Sequence, residues 1–281
     1  MLTRRFGSTA IDVSIIGQGT WMMETDNRTA ARTALRRGLD LGMLHIDTAE
    51  MYGAGAVEEL VGEAIAGRRQ EVFLSSKVLP SNASYEGTLR ACERSLRRLR
   101  TDWLDLYLLH WPGVHPLSET FAAFERLVDD GKIRVFGVSN FDGTELDIAE
   151  QAAGPGRMVC NQVLYDIRER AIEHQVIPWC DARGVSVVGY RPFGVPPFPS
   201  SNDAGGKVLA EIAIGHGATT RQVVLAFLTR RSCLFAIPKA SSVEHVEENA
   251  WAGDLVLAEE EIARLDTAFE RGPEPSSLPW S

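Results

Sequence analysis

Four residues of this chain, Asp47, Tyr52, Lys77 and His110, have the types and settings needed to deliver a proton to an oxygen that gains negative charge. Asp47 and Tyr52 lie in His45-Ile46-Asp47-Thr48-Ala49-Glu50-Met51-Tyr52-Gly53. Lys77 lies in Ser75-Ser76-Lys77-Val78 and His110 in Leu108-Leu109-His110-Trp111-Pro112. A free tyrosine titrates near 10 and is a poor acid at neutral pH. A neighbouring ammonium favours the phenolate and is expected to lower that value. A carboxylate beside the lysine keeps the ammonium charged, and a neutral imidazole orients a substrate oxygen. Reduction of a carbonyl needs such a set, with the hydride supplied by a cofactor because no side chain carries one. A single Asp, Lys or His at a strand end alone suits a structural ion pair or a satisfied core group; the four residues together at three consecutive strand ends form a coherent catalytic set.

Those residues must be carried by the ends of strands. Short apolar runs recur every ~25–30 residues, the length of a strand–helix unit. They fall at Val13–Ile16, Met43–Ile46, Val72–Leu74, Leu104–Leu109, Val135–Val138, Met158–Val159, Val185–Val188 and Cys233–Ile237. Most are continuous rather than alternating, as in strands buried on both faces. Helical periodicity fills the gaps at Arg28–Leu41, Glu58–Ala66, Ser84–Leu99, Ser118–Val128, Ala171–Arg183 and Thr219–Arg230. Eight strand–helix units predict an α/β fold, a (β/α)8 TIM barrel in one domain over residues 1–281. Residues 1–14 are expected to form an N-terminal β-hairpin around Gly7-Ser8 that plugs the bottom, residues 190–206 a Pro- and Gly-rich rim loop, and residues 272–281 a flexible tail. The rim loop, the 113–118 loop and the tail near Trp280 are where substrate selectivity is expected.

Composition sets the outer limits. Hydrophobic residues make up 44% and charged residues 24%, which excludes a disordered or coiled-coil chain. The formal net charge of −9 argues against a dedicated nucleic-acid binder. Cys92, Cys160, Cys180 and Cys233 are scattered, with no Cys-x-x-Cys pair, which suits free thiols in a reducing compartment rather than disulfides or zinc. No apolar run reaches ~18 residues and no secretory pattern opens the chain, so a cytoplasmic protein without a membrane span is expected. No metal is expected: His45-Ile46-Asp47 lacks further histidine ligands nearby. Gly53-Ala54-Gly55 is not a dinucleotide loop, because Glu58 stands where the third glycine would be. His115 and His174 have no coherent partners and are expected at the surface.

Taken in order, these motifs, with Gly17-Gln18-Gly19-Thr20-Trp21, Gly137-Val138-Ser139-Asn140-Phe141 and Ile237-Pro238-Lys239-Ala240-Ser241-Ser242, resemble the aldo-keto reductase superfamily over essentially the whole chain. The resemblance implies NADPH-dependent reduction of aldehydes and ketones, with Tyr52 as general acid and Asp47, Lys77 and His110 completing a tetrad. It implies cofactor contacts from Gly19, Thr20 and Trp21, nicotinamide contacts from Ser139, Asn140 and Gln162, and stacking on Tyr190. It places Lys239, Ser241 and Ser242 at the adenosine phosphate and Glu248 and Asn249 at the adenine. His245 stands where many members carry an arginine for the 2′-phosphate, so NADPH is expected, with NADH the lesser alternative. Arg191-Pro192-Phe193-Gly194 departs from the family's commoner Ser-Pro-Leu-Gly. Trp21 and Trp111 are expected to line the substrate pocket. A small aldehyde or ketone is the implied partner; nucleic acid and membrane are not. The alternative is a cofactor-binding regulatory subunit with the same barrel and little turnover.

Overall fold

A computed structural model describes residues 1–279; Trp280, assigned above to the selectivity region, lies outside the described residues. The chain opens with a hairpin of β1 (Thr3–Arg5) and β2 (Asp12–Ser14), paired antiparallel with Arg4 opposite Val13. Eight parallel strands follow: β3 (Gln18–Gly19), β4 (His45–Asp47), β5 (Phe73–Val78), β6 (Leu104–Leu109), β7 (Ile133–Ser139), β8 (Met158–Leu164), β9 (Ser186–Tyr190) and β10 (Leu234–Ile237). They are hydrogen-bonded in chain order. The sheet closes on itself where Gly17 N–H donates to Ala236 O at 2.8 Å and Gly19 N–H to Pro238 O at 3.1 Å.

The expected first barrel strand, Val13–Ile16, is corrected. Asp12–Ser14 belongs to the hairpin, and the barrel strand is the short Gln18–Gly19 that follows. The reason lies at the seam. A Cβ on Gly19 would meet Ile237 O at 2.5 Å, so the closing strand cannot be the β-branched run that marks the others.

Helices α1 (Arg28–Asp40), α2 (Ala56–Ala64), α3 (Tyr85–Leu99), α4 (Leu117–Asp129), α5 (Gly143–Ala153), α6 (Val176–Arg183), α7 (Ala204–His216), α8 (Thr220–Leu228), α9 (Val243–Trp251) and α10 (Glu259–Ala268) surround the strands. The expected helix over Ala171–Arg183 is broken: Ala171–Glu173 is a single 3₁₀ turn and α6 begins at Val176. The rim loop is shorter than expected, because Asp203 accepts from Gly206 N–H at 2.7 Å and starts α7 at Ala204. Helix α5 escaped the periodicity because its buried face holds only Gly143, Leu146 and Ala149; its start is fixed by the reciprocal Asp142–Glu145 capping box.

Two apolar cores result. One lies between strands and helices; the other fills the barrel with Leu106, Leu108, Cys160, Val188, Phe235 and Ile237. The hairpin seals the lower end: the fully buried Phe6 packs against Phe73 and Phe235 at ring separations of 4.9 and 5.1 Å. His45 shares that layer, edge-on to Phe73 at 5.3 Å, with neither ring nitrogen hydrogen-bonded. Burial, opposed in part by Asp47, brings its pKa down to about 4.

His45 is therefore neutral in the fold but takes a proton near its ordinary value of 6.5 once unfolded. A depressed value stabilises the native state above pH 6.5, and the contribution disappears as pH falls towards 4. The difference amounts to about 3 kcal/mol. Denaturant titrations of the wild type and His45→Leu between pH 7 and 4 should show a flatter stability curve in the variant. Parallel curves would mean that His45 keeps its ordinary titration.

Candidate active site

Alternation along the strands points one residue in two into the barrel. The last inward residues of successive strands meet at the C-terminal rim: Gly19, Asp47, Lys77, Ser139, Gln162 and Tyr190, with His110 just beyond β6 and Lys239 just beyond β10. The register supports this convergence, with Asp47 opposite Ser75, Lys77 opposite Leu108 and Ser139 opposite Gln162. All of these but Lys77, which lies buried behind them, line a cleft of about 380 Å³, together with Thr20, Trp21, Met51, Tyr52, Trp111, Asn140, Arg191 and Ile237.

At the floor of the cleft, Lys77 is fully buried and uses all three of its protons. Its Nζ donates to Asp47 Oδ1 at 2.5 Å, to Thr48 O at 2.9 Å and to Tyr52 OH at 3.2 Å. Burial alone would lower the lysine pKa, but Asp47 and Tyr52 outweigh it and hold the ammonium above its ordinary value. Asp47 Oδ2 accepts from Ser75 Oγ at 2.7 Å and from Gln162 Nε2 at 2.8 Å. Tyr52 enters from a 3₁₀ turn, Tyr52–Gly55, in which Gly53 and Ala54 take positive φ. Its phenol corrects the expectation from sequence: burial pushes its pKa up by more than Lys77 pulls it down, so the net direction is upward. The His110 ring stands edge-on to Tyr52 at 5.8 Å and against Trp111 at 4.7 Å. Burial first, then Lys77, takes its pKa well below 6.5, so the imidazole is neutral.

Ser139 Oγ donates to Gln162 O at 2.8 Å, and Asn140 Nδ2 to His110 O at 3.0 Å. Asn140 is held with φ 63°, and its Oδ1 accepts from Tyr190 OH at 2.8 Å. Thr20 Oγ1 donates to Asp47 O at 2.8 Å. The residues assigned to the phosphate and adenine lie further out. Lys239 lines the cleft, whereas Ser241, Ser242, His245, Glu248 and Asn249 follow it in the loop and in α9 without lining it. Ser242 Oγ caps α9 by accepting from His245 N–H at 3.3 Å; Glu248 accepts from Thr219 Oγ1 at 2.7 Å; Asn249 is buried. His115 and His174 are half-buried rather than freely exposed.

Sequence reasoning missed several members of the site. Ser75 appeared only as a letter in a motif, although its parity with Lys77 already turned it inward. Met51 carries no signal for the cleft beyond its place in the motif, Arg191 belongs to the rim loop where selectivity is expected, and Asp26, an ion-pair partner of Lys239, carries no signal. Glu50, inside the same motif as Tyr52, faces away. It accepts from Leu79 N–H at 2.8 Å and pairs with Arg94 at 3.2 Å, holding the loop beneath the site.

The barrel and its rim cleft define a (β/α)8 enzyme that handles a small molecule at the C-terminal ends of its strands. The chain belongs to the aldo/keto reductase family, whose profile matches residues 15–270. It is 44% identical over 262 residues to the methylglyoxal reductase YeaE of Escherichia coli, covering 92% of each chain. It is 33% identical to the glyoxal reductase of Bacillus subtilis over 274 residues, covering 95% of this chain and 94% of that one. A solved aldo/keto reductase from Klebsiella pneumoniae, in complex with NADP and acetate, superposes with a TM-score of 0.91 at 43% identity over 99% of both chains. The protein is an NAD(P)H-dependent carbonyl oxidoreductase. No helix among the described residues is long and apolar enough to cross a membrane.

Breaking the buried pair from one side leaves a charge without a partner, which costs about 3–5 kcal/mol. Lys77→Met should therefore destabilise the fold by that order in urea titrations. Adding Asp47→Asn should recover part of the loss, because the stranded carboxylate is gone. A double variant no more stable than Lys77→Met would show that the two charges are not coupled.

Proposed function

We propose that this cleft reduces small aldehydes and 2-oxoaldehydes such as methylglyoxal with NADPH, with Tyr52 as the proton donor. The observation that carries the proposal is the Asp47–Lys77–Tyr52 chain, which ends with the phenol beside neutral His110 at the cleft. The names of the relatives, reductases of methylglyoxal and glyoxal, support the substrate class.

When bound, NADPH supplies the hydride to the carbonyl carbon. The chain's own residues do the rest. His110 holds the carbonyl oxygen in the cleft by a hydrogen bond from its imidazole. Tyr52 stays protonated at neutral pH because burial raises its pKa, and its proton passes to that oxygen as charge develops there. Lys77 stabilises the resulting phenolate, and Asp47 keeps Lys77 charged and in place. Trp21 and Trp111 wall the mouth and exclude water.

The residues present suit a nicotinamide coenzyme. Ser139, Asn140 and Gln162 offer amide and hydroxyl groups at one end of the cleft, where the Tyr190 ring gives a stacking face. Gly19, Thr20 and Trp21 line the same cleft and are the further coenzyme contacts in this scheme. Lys239, Ser241, Ser242 and His245 offer a positive or hydroxylic end for the 2′-phosphate, with Glu248 and Asn249 at the adenine. NADH lacks that phosphate and is the weaker ligand in this scheme. Four free thiols suit a cytoplasmic setting.

Two measurements test the scheme. Methylglyoxal with NADPH should give steady-state turnover, which Tyr52→Phe should lower by about 10²–10⁴-fold with the coenzyme Kd unchanged. Near wild-type turnover in Tyr52→Phe would remove the tyrosine from the mechanism. Lys239→Ala should weaken NADPH binding by about ten- to a hundredfold and leave NADH nearly unaffected, since charge-assisted bonds to the phosphate are lost. Equal weakening of both would assign Lys239 to the diphosphate or to the fold.

A further inference from the structure

Asp26 lies beside Lys239, one of the residues lining the cleft. Its Oδ2 pairs with Lys239 Nζ at 2.5 Å and also accepts a hydrogen bond from Ser241 Oγ. These are two of the groups assigned above to the 2′-phosphate, and both are engaged by one anionic oxygen.

The carboxylate is placed there by its own segment. Gly19 and Lys239 are bridged across the barrel seam, so the loops that follow them leave side by side. The first loop is pinned at its start by Thr20 Oγ1 on Asp47 O. It turns through the 3₁₀ segment Met23–Thr25 and is pinned at its end by Asn27, which caps α1 by accepting from Ala30 N–H at 3.0 Å. Asp26 sits between these anchors, and its N–H donates to Met23 O at 3.2 Å. The bonds from Lys239 and Ser241 outweigh burial and hold its carboxyl below the usual range, so it is ionised at neutral pH. The side chains of Lys239 and Asp26 remain 36% and 27% exposed, so the pair can exchange with a ligand.

We propose that Asp26 is a coenzyme-selectivity residue: its carboxylate holds Lys239 and Ser241 in the free enzyme and opposes binding of any ligand that brings a phosphate to them. Such a phosphate must displace the carboxylate or sit beside a like charge. Asp26 therefore weakens NADPH and leaves NADH, which brings no 2′-phosphate, largely unaffected. This rests on the coenzyme assignment made above.

The test is calorimetric titration of the full-length protein with NADPH, NADH, 2′,5′-ADP and 5′-ADP. Asp26→Asn should tighten NADPH and 2′,5′-ADP by about three- to fivefold, the scale of a part-exposed ion pair, with NADH and 5′-ADP nearly unchanged. Asp26→Ala should act in the same direction, and in a Lys239→Ala background the gain should vanish. Unchanged or weaker NADPH binding in both single variants overturns the proposal, as does equal tightening of all four ligands. Weaker binding of all four would make Asp26 a clamp on bound coenzyme. A wild-type protein that binds neither coenzyme would instead overturn the coenzyme assignment, and the selectivity role with it.

Discussion

The ion pair between Lys77 and Asp47 constrains everything around it. An ammonium with no exposed surface is tolerated only if it is paired and its remaining protons are bonded. Asp47, the Thr48 carbonyl and Tyr52 meet that demand. The carboxylate needs partners in turn, and it takes them from β5 through Ser75 and from β8 through Gln162. One charge pair thus ties three strands, two neighbouring and one across the barrel. Beneath it an apolar cluster extends down to the Phe6 plug, with the neutral, buried His45 in the same layer. The same desolvation keeps His110 neutral and Tyr52 protonated.

Much of this was legible in the sequence, for a physical reason. Buried parallel strands must be continuously apolar, so the break in such a run, at Asp47, Lys77 and His110, marks where the chain reaches the rim. Those residues are brought together by the closed barrel. What could not be read has equally definite causes. The closing strand is glycine-rich because the seam is tight, so the strand signal lies in the apolar run before it. Helix α5 shows too few buried apolar residues to register as periodic, and its capping box is a local signal that periodicity does not weigh. The direction of the Tyr52 shift depended on a balance between burial and Lys77, and burial is a property of the packed barrel. Asp26 had no signature because its partner is more than two hundred residues away, across the seam.

The ion pairs Lys77–Asp47 and Lys239–Asp26, both 2.5 Å long, have opposite consequences. Lys77–Asp47 is nearly unexposed, and both members hold further bonds to other groups, so neither can leave without stranding the other. Such a pair acts as fixed structure. Lys239–Asp26 is open to solvent on both sides, so either partner can be exchanged for water or for another ion at small cost. The first position suits a group that must be in place when charge develops on a substrate oxygen, since preorganised charge needs no rearrangement at that moment. The second suits a contact made and broken with every cycle of ligand entry and release. The seam where the barrel closes, at the Gly19–Lys239 bridge, brings the lysine of this exchangeable pair into the lining of the cleft. Depth in the barrel, more than residue type, thus separates the fixed lysine from the exchangeable one.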